Sequence, residues 1–222
     1  MAKKHDYYGK SSVLEEAFIT LRTNIQFSEI DRKIKTIVIT SADPSEGKSS
    51  VAFRLARSFA QNKNKVLLLD CDLRNPSIGK VAEVENNVGV TNILVARTEY
   101  QSAITRTESA PDLDIILTGP TPPNPAELLG THAMQELLDH VKEDYDYIII
   151  DTPPVGIISD AAILSTITDG VILVMAQNST DKADIKRAIN RIEHVGGKVL
   201  GAVLNKVDIS SRRGSKNYYN YY

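Results

Sequence analysis

The chain has 222 residues, 42% hydrophobic and 24% charged, with a formal net charge of −2, which fits one folded domain with a full core. That charge gives no general attraction to nucleic acid, so no nucleic-acid partner is expected, and the single cysteine, Cys71, excludes an internal disulfide. No apolar run approaches the roughly 20 residues needed to span a bilayer and no signal peptide opens the sequence, so a cytoplasmic protein is expected, with any membrane attachment made through a partner.

Residues 1–10 are polar, lack periodicity and are expected to be flexible. Ser12-Val13-Leu14-Glu15 reads as a capping box, and Leu14, Phe18, Leu21 and Ile25 follow at helical spacing to about residue 28. Thr36–Thr40 is a short β-branched run, hence a strand. After a loop, residues 48–62 read as a helix and Lys65–Asp70 as a second apolar strand. Strands apolar on both faces belong to a parallel sheet covered on both sides.

Residues 75–125 mix short apolar pieces with turn signals, including a strand at Asp114–Leu117 and a Pro-rich segment at Gly119–Pro125. A helix from about Ala126 to Val141 leads into the buried strand Tyr147–Asp151. A helix at 160–167, a strand at Gly170–Met175, a helix at 181–195 and a strand at Val199–Leu204 complete the alternation. The expected fold is α/β: one domain over residues 11–208, with a mostly parallel sheet and helices on both faces. Residues 209–222 lack core-forming spacing and read as a flexible tail. Four of its last five residues are tyrosines: Tyr218, Tyr219, Tyr221 and Tyr222.

Ala42-Asp43-Pro44-Ser45-Glu46-Gly47-Lys48-Ser49, between strand and helix, has the form of a phosphate-binding P-loop. Gly47 lets the backbone approach phosphate, Lys48 supplies charge, and Ser49, followed by Ser50, supplies a hydroxyl for Mg²⁺. The first glycine of the usual pattern is Ala42, tolerable where φ stays negative. Asp151 ends a run of isoleucines where a Walker-B carboxylate holds Mg²⁺. Asp70 and Asp72, two residues apart on an extended chain, point to one side at the C-terminal edge of a strand. Two carboxylates there serve metal coordination or deprotonation of an incoming hydroxyl; the alternative is that one of them, Asp72 before Asp70, simply pairs with Arg74.

Together S-A-D-P-S-E-G-K-S-S, L-L-L-D-C-D-L-R and I-I-I-D-T-P-P resemble the bacterial protein-tyrosine kinases (BY-kinases). P-N-P-A-E-L-L at 123–129, S-D-A at 159–161, D-G-V-I-L-V at 169–174 and G-A-V-L-N-K-V at 201–207 extend the likeness over nearly the whole chain. The resemblance implies an ATP- and Mg²⁺-dependent autokinase of the Firmicutes type that controls capsule or exopolysaccharide synthesis. Its partners would be a transmembrane activator, whose cytoplasmic tail recruits it to the inner face of the membrane, and a cognate tyrosine phosphatase. Lys48, Asp70, Asp72 and Asp151 would be catalytic, with Asp70 the leading candidate for activating the tyrosine. Ser49, Asp70 and Asp151 would hold metal, Asp43 to Ser50 the phosphates, and Asn205 the base. The four tail tyrosines would be acceptors, on a neighbouring subunit of a homo-oligomer. The family's ring-forming Glu-x-x-Arg-x-x-Arg is here Glu16, Ile19 and Arg22, two matches of three. The rival reading is an ATPase switch similar to MinD and ParA, which usually carry a second lysine where Asp43 and Pro44 stand. A third is a nucleotide-binding scaffold with slow turnover.

Overall fold

The computed structural model describes residues 3–28, 33–85 and 87–208, with side chains from residue 13 onward. Strands β1 (Thr36–Ser41), β2 (Val66–Asp70), β3 (Thr105–Thr107), β4 (Ala110–Ile116), β5 (Tyr147–Asp151), β6 (Gly170–Ala176) and β7 (Val199–Asn205) form one sheet. Its order is β3-β4-β2-β5-β1-β6-β7, parallel throughout except for the β3–β4 edge hairpin.

The alternation of side chains along each strand feeds two cores. Ile37, Ile39, Leu68 and Ile149 face α2 (Lys48–Gln61), onto which α1 (Lys3–Phe27) packs. Val38, Leu67, Leu69, Ile148, Ile150 and Leu173 face the other way, toward α4 (Val90–Ala96), α6 (His132–Asp144), α7 (Asp160–Ser165) and α8 (Lys182–His194). Two short helices, α3 (Ile78–Ala82) and α5 (Pro125–Leu129), fill out the layers. The expected fold class holds: a mostly parallel sheet covered on both faces.

Several boundaries differ from expectation. Helix α1 begins at Lys3, so Ser12 lies inside it rather than at its cap, and residues 3–10 are helical where flexibility was expected. Gly9 is the one strong helix-weakening residue before Ser12, and its cost of about 1 kcal/mol does not stop a helix anchored further on. The expected helix 126–141 is two helices, because Gly130 closes α5 through its N–H to Ala126 and Glu127 carbonyls while Thr131 opens α6. Residues 75–125 also hold α3, α4, a 3-10 turn at Tyr100–Ala103 and β3, all too short for periodicity to announce. The expected tail, 209–222, lies outside the described residues.

At the N-terminal edge of the sheet, Asp169 ties β6 to β1. Its Oδ2 accepts from Lys35 N–H at 3.0 Å, Thr36 N–H at 2.9 Å and Thr36 Oγ1–H at 2.8 Å. Burial alone would raise its pKa, but these donors outweigh burial and hold the carboxyl below its usual range. A lowered folded-state pKa stabilises above the unfolded value and loses that contribution as pH falls through the folded one. Asp169→Asn should therefore cost about 1–3 kcal/mol at pH 7. In thermal melts, the gap between the variant and the parent chain should narrow below about pH 4.

Candidate functional site

The carboxyl edges of β1, β2 and β5 converge where the chain reverses direction across the sheet, the usual ligand crevice of open α/β folds. After β1, residues 42–47 wrap the N-terminus of α2. Ser45 (φ 61°) and Gly47 (φ 91°) both adopt left-handed backbone, and turns of this kind aim successive N–H groups into one anion-binding concavity. Ala42 is absent from the positive-φ residues, as the missing first glycine required. The close approach there falls instead to Gly156, where a Cβ would stand 2.0 Å from the Ala42 carbonyl oxygen.

A loop with its N–H groups inward leaves carbonyls outward, and these need donors. Asn205 Nδ2 donates to the Glu46 carbonyl at 2.9 Å and Lys206 Nζ to the Ser45 carbonyl at 2.7 Å. Asn205 is the last residue of β7 rather than a residue beyond it, and its amide is spent bracing the loop. The Glu46 side chain also turns inward, at 2% exposure. It accepts from Asp43 N–H, Ala176 N–H and the Thr180 hydroxyl, fastening the loop to the β6–α8 turn.

Lys48 Nζ lies 2.8 Å from Asp72 Oδ2, 3.9 Å from Asp151 Oδ2 and 3.3 Å from Ser49 Oγ, in a site where Lys48 is 9% exposed. Burial would lower its pKa, but Asp151 and Asp72 overcome that and raise it. Asp70 and Asp151 are register partners across β2 and β5, and both are fully buried. Burial first raises the pKa of each; Asp151 adds to the rise at Asp70, and Lys48 and then Ser49 oppose it at Asp151.

The aspartate pair does not share one task. Strand β2 ends at Asp70, whose oxygens accept the Asp72 N–H at 3.2 Å and the Ile78 N–H at 3.1 Å. Asp72 instead reaches Lys48 and accepts the Asn75 N–H at 3.0 Å. Arg74 pairs with Asp160, not Asp72, through Nε at 3.0 Å and Nη2 at 3.3 Å. That pair spans 86 residues, and only the S-D-A motif hinted at it.

Neither carboxylate oxygen of Asp151 makes a close hydrogen bond; Lys48, 3.9 Å away, and the Ser49 hydroxyl act on it only weakly. A buried carboxylate left open in this way, next to the Ser49 hydroxyl, suits a hard cation with oxygen ligands. Among the described residues no three His, Cys, Asp or Glu side chains gather into a metal cluster, so a cation here would draw its other ligands from phosphate or water. The residues fit Mg²⁺ on those terms.

Above these groups opens a cleft of about 430 Å³. Pro44, Ser45, Gly47, Lys48, Ser49 and Ser50 line it from the P-loop; Asp72, Arg74 and Ser77 line it from the β2 side. Pro153, Pro154, Ile157 and Ile158 form its remaining wall. Asp70 and Asp151 are buried behind this lining, as is Glu46, while Asp43 and Asn205 are half-buried outside it. A larger cleft of about 840 Å³ lies at the opposite edge of the sheet, around Tyr100, Arg106 and Tyr145, away from all these groups. The four tail tyrosines fall outside the described residues.

A family model described as an AAA domain matches residues 34–203. Tyrosine-protein kinase YwqD of Bacillus subtilis is 40% identical over 211 residues, covering 95% of this chain and 87% of its own. Tyrosine-protein kinase CpsD of Streptococcus agalactiae is 39% identical over 197 residues, covering 88% and 85%. Among solved structures, the chimerical protein CapA2B2 superposes with a TM-score of 0.82 at 39% identity, over 86% of this chain and 84% of that one. MinD of Pyrococcus horikoshii, at a TM-score of 0.67 and 24% identity over 80% and 72%, shares the fold alone.

With nucleotide and metal withheld, Asp151→Asn should raise stability at neutral pH by about 1–2 kcal/mol, since it removes a charge whose burial Lys48 and Ser49 only partly offset. Chemical denaturation of both chains reads this. An Asn variant less stable than the parent would mean that Lys48 already compensates Asp151.

Proposed function

The chain belongs to the bacterial tyrosine-protein kinases, and on that premise we propose that it is an ATP- and Mg²⁺-dependent autokinase whose acceptors are the tail tyrosines of a neighbouring copy. The observation that carries this reading is the buried carboxylate of Asp151, with no close hydrogen bond, directly behind Lys48 and Ser49, which line a cleft that a P-loop borders.

In the proposed reaction, the loop N–H groups and the positive end of α2 bind the phosphates. Lys48 exchanges its contact with Asp72 for the phosphate oxygens. Ser49 and Asp151 would hold Mg²⁺, which when bound would neutralise charge on the phosphates. The bond from tyrosyl oxygen to γ-phosphorus forms as the bond from γ-phosphorus to the bridging oxygen breaks, and ADP departs. Asp72, released by Lys48, takes the phenolic proton. Asp72 rather than Asp70 fills this role because it lines the cleft, whereas Asp70 lies behind it and fixes the Asp72 backbone. The catalytic contribution is mainly positioning and charge neutralisation.

A tail of 14 residues, Ile209–Tyr222, spans at most roughly 45–50 Å, comparable to one domain of this size. Phosphorylation of its four tyrosines would reverse the charge of a segment bearing Arg212, Arg213 and Lys216 and loosen the assembly. The biological setting in this reading is control of capsule or exopolysaccharide synthesis with a transmembrane activator, a cognate phosphatase resetting the tail. No described helix is long and apolar enough to cross a membrane; here the activator provides the membrane contact.

Incubation with γ-labelled ATP and Mg²⁺ tests the proposal. The full chain should label its tail, and Lys48→Met should lower labelling at least a hundredfold. A chain ending at Ser211 should not label itself, yet should label full-length Lys48→Met in a mixture. Phosphate release without protein label would favour the MinD-like switch; label that never passes between chains would overturn transfer to a neighbour.

A further inference from the structure

The two edges of the sheet are finished differently. At one, β3 has three residues with Arg106 at its centre, short and charged in the way that blunts an edge. At the other, β7 presents Val199-Leu200-Gly201-Ala202-Val203-Leu204-Asn205, with no charge, no proline and no further strand beside it among the described residues. Every residue of β1, β2 and β5 is buried, but none of β7 is. Leu204 is 54% exposed, and Val207, just beyond the strand, 42%. A long apolar edge of this kind offers a row of backbone donors and acceptors to an extended chain.

Gly201 stands at the middle of that edge. A Cβ there would meet nothing within 4 Å, so no described neighbour demands glycine at this position. Glycine inside a strand weakens it and marks places where another backbone comes close. Leu200 and Val203 are half-buried on the α2 side of the sheet and Val199 on the other. Apolar surface is therefore left over on both faces of β7.

We propose that the edge of β7 is the docking site of this chain's own last residues, Lys216–Tyr222, which return antiparallel along it and close the sheet in cis. Length and position single out this occupant. An antiparallel return along the seven residues of β7 takes seven more, and counted back from the C-terminus these are Lys216–Tyr222. The chain bends at Lys206 (φ 57°), and Asp208 N–H donates to Gln177 Oε1 beyond the end of β6 at 2.9 Å. From there the outer side of β7 is two strand spacings away, about 10 Å. Residues 209–215, with three serines and Gly214, reach roughly 23 Å and supply turn-forming side chains. Tyrosine is among the residues favoured in strands. Period-two alternation would put Tyr218 and Tyr222 on one face and Tyr219 and Tyr221 on the other, two rings for each half-open face of β7. The docking stands without the autokinase reading above, and its consequence rests on it. Held along β7, the four phenols are sheltered from transfer until the segment leaves its own edge. Phosphate added to rings packed on apolar surface would keep the segment from returning.

Hydrogen–deuterium exchange tests the docking. In the full chain, the amides of Gly201–Leu204 should exchange at least tenfold more slowly than in a chain ending at Ser211, at every protein concentration. A full-length chain carrying Tyr218→Ser, Tyr219→Ser, Tyr221→Ser and Tyr222→Ser should exchange as fast as the shortened one. So should full-length Leu204→Lys, which sets a charge on the edge. Circular dichroism should show the same helix content in all four. Equal exchange in the full and shortened chains overturns the docking, as does protection that survives the four serines. Protection that grows with protein concentration also overturns it, by assigning the edge to a second copy. The consequence is read by transfer from the chain ending at Ser211 to full-length Lys48→Met, where adding Leu204→Lys to the acceptor should speed tail labelling about threefold to tenfold. Equal labelling of the two acceptors overturns the sheltering. Absence of label on both overturns the autokinase reading, while slowed exchange at β7 would still uphold the docking.

Discussion

Everything at the carboxyl edge of the sheet is organised around an unbalanced set of buried charges. Three carboxylates, Asp70, Asp72 and Asp151, surround one ammonium, Lys48, and none of the four is more than a tenth exposed. Removing ions from water costs several kcal/mol each, and one cation cannot offset three anions. The backbone takes up part of the excess: Asp70 accepts two N–H groups and Asp72 a third. Asp151 makes no close hydrogen bond, although it is fully buried on the central strand between β2 and β1. The remaining imbalance is what a divalent cation would cancel. The site therefore lowers the stability of the free protein and gains it back on binding.

The fold can carry this burden because the sheet around it is uniformly apolar. Ile37, Ile39, Leu67, Leu68, Leu69 and Ile148 are fully buried within a few residues of the charges. The same dry surroundings strengthen the Lys48–Asp72 contact, so a nucleotide has to displace it to engage Lys48. In the proposed reaction affinity and chemistry are thereby linked: the exchange that would let Lys48 bind phosphate would also free the Asp72 carboxylate.

Much of this was legible in the sequence, and what was not shares a cause. The runs Thr36–Thr40, Lys65–Asp70 and Tyr147–Asp151 announce strands because β-branched and aliphatic residues buried on both faces have few other homes. Gly47-Lys48-Ser49 announces the phosphate loop because so few residue types meet its backbone and charge demands. Side-chain direction beyond the end of a strand is not so constrained. Period-two alternation put Asp70 and Asp72 on one side, but β2 stops at Asp70 and the turn that follows sends Asp72 to Lys48. Glu46 and Asn205, expected as ligand contacts, also brace the loop, because a loop with inward N–H groups has outward carbonyls that a local pattern does not reveal. Arg74 and Asp160 meet only once β2 and α7 have been placed by the sheet.

Those braces make the site a late product of folding. The P-loop spans a few residues, yet its shape depends on Asn205, 159 positions from Glu46, and on Thr180, 134 positions away. Gly156 must come against Ala42 from the β5 side, and Ser77 must meet Ser49 at 2.9 Å from the β2 side. Contacts of such sequence separation form only when most of the chain has collapsed. An isolated loop with Ser45 at φ 61° would relax, since a non-glycine residue holds that conformation only where its surroundings enforce it. The phosphate-binding geometry is thus a property of the completed sheet, imposed on the loop by β6 and β7.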